Sequence, residues 1–160
     1  MTTTSGVSMS LTQNEFNAIL SDVTKRVVED ISWSEDEDHS PGVEFRARVD
    51  SDAGYPLFVC GSYNAQVRAL TFVLIHRVAG RIYGLDLGKE HHNPDCHNVG
   101  EKHKHSWNEP LRDKEAYVPS DITAEVDDPV AVWGQFCAEA RIAHNGKMHA
   151  PPPVQKELFS

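Results

Sequence analysis

The sequence predicts an α+β fold in two layers: an antiparallel four- to five-stranded meander sheet with an N-terminal and a C-terminal helix packed on it. Three observations carry that expectation. A capping-box sequence at Thr12 precedes apolar residues at helical spacing. Residues 43–87 hold strand-like segments joined by short turns, and Asp127-Asp128-Pro129 opens a second apolar stripe.

The elements follow in order. Residues 1–10 are Thr/Ser-rich without periodicity and are expected to form a flexible leader. In Thr12-Gln13-Asn14-Glu15 the hydroxyl and the carboxylate can each satisfy a free N–H at a helix start. Leu11, Phe16, Ile19, Leu20, Val23, Val27 and Ile31 then recur at helical spacing, which predicts a first helix over 12–31. Val43, Phe45, Ala47 and Val49 alternate with Glu44, Arg46 and Arg48, the period of a half-buried strand. A turn at 50–54 leads to a second strand at 56–63, and 69–77 is a more apolar, central strand. Val78-Ala79-Gly80 turns into a fourth strand, 81–87. Residues 88–100 read as a loop leaving the sheet, and 102–107 as a fifth strand returning to it. The second helix buries Val130, Trp133, Phe136, Cys137 and Ala140 and stops at Asn145-Gly146. Trp33 and Trp133 belong to the core, 11–146 forms a single domain, and 147–160 is a Pro-rich extended tail.

Composition limits the function classes. Hydrophobic residues are 39% and charged residues 24% of the 160, ordinary values for a soluble globular chain. The longest apolar run, around 70–75, is strand-sized, whereas a spanning helix needs roughly 20 residues. Met1-Thr2-Thr3-Thr4-Ser5-Gly6 lacks the basic and apolar regions of a secretory signal, so a cytoplasmic location is expected, with no membrane partner. Cys60, Cys96 and Cys137 lie far apart without a C-x-x-C pair, which favours reduced thiols. A net charge of -9 argues against broad adhesion to a nucleic-acid backbone, leaving RNA to local positive charge such as Lys102, Lys104 and Arg112. The acidic block Glu35, Asp36, Glu37 and Asp38 is ordinarily a solvated loop; its alternative use is docking on a basic protein or nucleoprotein complex.

Chemistry is concentrated in one stretch. His91, His92, His97, His103 and His105 are five of the nine histidines. On a strand, His103 and His105 would face one side and Lys104 the other. One use is metal-free acid/base cleavage of a phosphodiester, with His91, His103 and His105 as base and acid, Asp86 orienting an imidazole, and Lys104 or Arg112 neutralising the phosphate. Trp107 and Tyr117 could stack on a base, although core packing is the commoner use of such residues. A second use is a divalent metal such as zinc, held among His91, Cys96, His97, His103, His105 and Glu109, with Asp86 or Asp95 as further carboxylates. The H-x5-H-x5-H-x-H spacing matches neither a zinc finger nor a metalloprotease helix. His103-Lys104-His105 followed by Glu109 fits the H-x-H-x3-E spacing of a cupin-like enzyme, but a second cupin half is missing. The plain alternative is a set of surface histidines making structural hydrogen bonds.

Asp86-Leu87-Gly88-Lys89-Glu90-His91 followed by His103-Lys104-His105-Ser106-Trp107 resembles two families. One comprises uncharacterised prokaryotic proteins, frequently of mobile-element origin, with D-x-G-x-x-H before H-K-H-x-W and a C-terminal helix; the likeness spans most of 10–145 and implies no function. The other is the TumE-like group of toxins, in which a hairpin, an aspartate, a histidine pair and an H-x-H occur in the same order. That likeness covers about 70–105 and implies a ribonuclease with an antitoxin partner.

Overall fold

Thr12 caps the first helix as its sequence requires: its hydroxyl accepts from the Glu15 amide at 3.1 Å, and the Glu15 carboxylate accepts from the Thr12 amide at 2.9 Å. The computed structural model describes residues 11–36, 41–88 and 124–152, together with the backbone of 102–106 and 116–117. Helix α1 (Gln13–Ser21) buries Phe16 and Ile19. It is shorter than the predicted 12–31. The Asp22 carboxylate accepts both the amide (2.7 Å) and the hydroxyl (2.6 Å) of Thr24, and this local alternative replaces the next helical turn. Val27 and Ile31 are buried by another route, because β1 (Arg26–Val27) is extended and pairs in parallel with β9 (Ala143–His144).

The main sheet contains β2 (Ser34–Glu35), β3 (Val43–Val49), β4 (Leu57–Asn64), β5 (Ala69–His76), β6 (Gly80–Leu87), β7 (Lys102–Ser106) and β8 (Ala116–Tyr117). Neighbours follow chain order and are antiparallel throughout. All five predicted strands are present as consecutive neighbours, β3 to β7. The two-residue edge strands β2 and β8 escape prediction, being too short to carry a period.

The first sheet face supplies the core. Phe45, Ala47, Val49, Leu57, Val59, Phe72, Leu74, Tyr83 and Leu85 are buried there with Trp133 and Phe136 of α2 (Pro129–Ala140). Trp133 meets Phe45 at 5.6 Å and Phe72 at 5.2 Å between ring centres, and Tyr83 meets Phe136 at 5.6 Å. Trp33 is partly buried against the same cluster, 5.0 Å from Phe45. Gly61 is the cross-strand partner of Phe45, and a Cβ there would collide with that ring. A hydrogen at this position is what lets the ring lie flat on the sheet.

Helix α2 starts on Asp128, whose carboxylate accepts from the Ala131 amide at 3.2 Å, and ends at Arg141 in the left-handed conformation. The predicted stop at Asn145-Gly146 therefore falls too late. Residues 143–145 pair instead with the segment after α1, Ala143 donating to Lys25 O and Asn145 to Val27 O. A Cβ at position 146 would lie 2.5 Å from Glu29 O, so Gly146 serves this close approach rather than a helix end. Met148 continues the seam, buried and bridged to Ile31. Among the described residues no helix is long and apolar enough to cross a membrane.

Lys25 is fully buried, and its ammonium donates to Ile19 O (2.5 Å) and Leu20 O (2.7 Å) at the end of α1. A cation there satisfies carbonyls left without amide partners and opposes the negative end of the helix dipole. Burial pushes its pKa down to about 8, against the attraction of Asp22 and with repulsion from Arg141. Below that pH the native state keeps a buried charge. Above it the native state loses the proton while the unfolded chain retains it, so this group's contribution to stability rises with pH until the unfolded lysine titrates. The stability gap between wild type and Lys25→Met should therefore shift in favour of wild type from pH 7 to pH 10, by on the order of 1–3 kcal/mol in urea melts. A gap that stays flat over this range would refute this account.

Candidate functional site

The second sheet face follows from the first by alternation. Glu44, Arg46, Arg48, Phe58, Cys60, Ser62, Thr71, Val73, Arg81, Gly84 and Asp86 occupy it, most of them exposed or half-buried. The register aligns one polar row across successive strands: Glu44 opposite Ser62, Ser62 opposite Thr71, Thr71 opposite Asp86, and Asp86 opposite His103. In the neighbouring row Gly84 stands opposite His105. Directly opposed positions of an antiparallel ladder share a face, so positions 103 and 105 belong to the row positions of Asp86 and Gly84.

Asp86 is the buried acid of this face. It is 7% exposed, and its carboxylate accepts from the Thr71 hydroxyl at 2.6 Å. A short hydrogen bond to a carboxylate fixes its rotamer, and a carboxylate has acceptor sites for more than one donor. Position 104 lies opposite Leu85 and Tyr117, in the alternate row.

Of the other candidates named from the sequence, Glu35 and Asp36 are described, and they stand away from this row. Glu35 is exposed on β2, the far edge of the sheet and five strand steps from β7, roughly 24 Å at ordinary strand spacing. Asp36 follows it, with its amide donating to Gly42 O. His91, His92, Asp95, Cys96, His97, Trp107, Glu109, Arg112, Glu37 and Asp38 lie outside the described residues. Among the described residues no group of three or more His, Cys, Asp or Glu side chains is placed to hold a metal ion.

Two described histidines have structural roles. His76 accepts the Val78 and Ala79 amides at the β5–β6 turn through Nδ1, and burial lowers its pKa. His144 accepts the Trp133 indole N–H at Nδ1 (3.0 Å), so its Nε2 carries the proton and donates to Glu29 O at 2.9 Å. The two described thiols are held protonated by burial, Cys137 being pushed up to about 12.

Two features escape sequence reasoning. Thr71 carries no signal of its own, because its place beside Asp86 depends on hairpin register. Arg46 and Arg48 are visible as the polar side of a strand, but their convergence with Phe58 and Arg77 is not. Arg46 lies 3.8 Å over the Phe58 ring, and Arg77 is 5.6 Å from it.

Thr71→Val keeps the shape and removes the hydroxyl from a buried carboxylate, so it should cost about 1–3 kcal/mol in urea denaturation. Combined with Asp86→Asn in a double-mutant cycle it should show coupling of at least about 0.5 kcal/mol. Strict additivity would show that the hydroxyl does not position the acid.

No curated protein and no solved structure matches the chain. A sequence profile does: the family of unknown function DUF6978, over residues 11–142. With most of its length covered by that profile, the chain belongs to the DUF6978 family.

Proposed function

We propose that this protein cleaves RNA by metal-free acid/base chemistry, as a cytoplasmic enzyme of the toxin-like, mobile-element kind paired with an antitoxin. One observation supports the reading: Asp86, buried and held by Thr71, is the cross-strand neighbour of His103, with His105 two positions along the same strand. A carboxylate that holds an imidazole in one tautomer is a usual second member of an acid/base pair. In the proposed step one imidazole takes the proton of the ribose 2′-hydroxyl as its oxygen bonds to phosphorus. The bond to the 5′ oxygen breaks, and a second imidazole gives that oxygen a proton. His103 and His105 are the pair of choice, and His91 is the third candidate on the chain.

On this reading His103→Ala and Asp86→Asn each lower cleavage of single-stranded RNA by at least about a hundredfold, with the fold intact by circular dichroism. Purified protein that leaves RNA whole, with or without zinc or manganese, refutes it.

A second reading rests on β2, where Ser34 and Glu35 are exposed at the sheet edge beside the acidic block. There the chain is an acidic inhibitor that occupies a basic groove of a nucleic-acid-binding partner. Charge reversal at Glu35 and Asp36 should then abolish capture of that partner while His103→Ala leaves it intact; the converse pattern rules this reading out.

A further inference from the structure

The ends of β3 and β4 enclose a cleft of about 490 Å3, lined by Arg26, Arg48 and Arg77 with Asp50, Ser51 and Tyr55 among its other walls. Three arginines and Asp50 thus line one cavity, with Asp52 paired to Arg26 beside it, in a chain whose net charge is -9. The existing pairings leave donors over. Arg48 gives only Nε to Asp50 (2.6 Å), and Arg26 gives Nη1 to Asp52 (3.1 Å) and to Thr24 O (2.9 Å). Arg77 makes no side-chain hydrogen bond or ion pair among the described residues; its guanidinium only approaches the Phe58 ring. A guanidinium carries five N–H donors in a planar fork, so several remain to receive the oxygens of a tetrahedral anion.

Arg48, in the wall of the cleft, also stands at the end of the second sheet face. Two residues along β3, the Arg46 guanidinium lies 3.8 Å from the centre of the Phe58 ring, a cation and an aromatic side by side of the kind that hold an unpaired base. Two residues further is Glu44, in the row that leads through Ser62 and Thr71 to Asp86. Four residues along the strand and three strands across put the cleft roughly 20 Å from Asp86, a span for several nucleotides of an extended single strand. A concave site for one phosphate, followed by a sheet face with a cation beside an aromatic, suits a flexible strand better than a rigid duplex.

We propose that the Arg26–Arg48–Arg77 cleft anchors a phosphate of single-stranded RNA, whose chain then crosses the second sheet face past Arg46 toward Asp86 and His103. The choice of RNA rests on the function proposed above. The cleft itself rests on its own geometry.

Fluorescence anisotropy of a labelled oligouridine with the full chain tests it. Arg48→Gln and Arg77→Gln should each weaken binding roughly tenfold and lower the slope of log affinity against log salt by about 0.7. Arg77→Lys should retain the slope, and melting temperatures should be unchanged. Competition by a duplex of the same length should be weak. Unaltered binding in the double glutamine variant, duplex binding as tight as single-strand binding, or binding of inorganic pyrophosphate without the oligonucleotide each overturns the proposal. Arginine-dependent binding without cleavage refutes only the proposed reaction. Cleavage that is undiminished in the double variant refutes only the cleft.

Discussion

The aromatic contact between α2 and the first face of the sheet constrains the rest of the molecule. Trp133 and Phe136 can be buried only if Phe45, Phe72 and Tyr83 are presented together on one side of three strands. In a pleated strand a slip of one residue would move every one of those rings to the other side. Register is therefore pinned by the core, and the composition of the opposite face follows from it. Thr71 meets Asp86, and Asp86 meets position 103, because Phe72 and Leu85 must point inward.

This division explains which parts of the fold are legible in the sequence. The alternation through Val43–Val49 is visible to inspection because each apolar residue has a charged neighbour, and the strand bounds agree to the residue. The fourth strand is readable by another route, from the Val78-Ala79-Gly80 turn before it, since its residues 82–87 are buried throughout and carry no alternation. Periodicity overextends the first helix because Val27 and Ile31 sit at a spacing that a helix and a parallel seam can share. What decides between them is Asp22 turning back on Thr24 and a partner more than a hundred residues away, neither of which periodicity records. The second helix is overextended for a related reason: Asn145-Gly146 looks like a stop, yet the glycine is there to let Glu29 approach.

For the site, the sequence shows the residue types but not their company. Chemistry and order single out His103, His105 and Asp86, and the ladder then sets 103 against 86. Thr71 and the arginine cleft depend on which strand lies beside which, information that exists only once the meander has closed. The same holds for the sign of the local field. A chain of net charge -9 carries an arginine-rich corner because like charges from β1, β3 and the β5–β6 turn are brought together by folding.

The parallel seam between β1 and β9 also bears on how the protein comes into being. The strands of the meander as far as Leu87 are joined by near-neighbour hairpins, whose closure is fast and local. The segment after α1 has one early partner, Asp50, which exchanges amide and carbonyl with Arg26, and otherwise depends on residues made late. Other amides and carbonyls in it are claimed by Ala143, Asn145, Lys147 and His149, and the carbonyl of Glu29 by the imidazole of His144. During synthesis that segment must wait, without these partners, until residues made more than a hundred positions later leave the ribosome. The fold is closed like a clasp whose two halves are made early and late in synthesis.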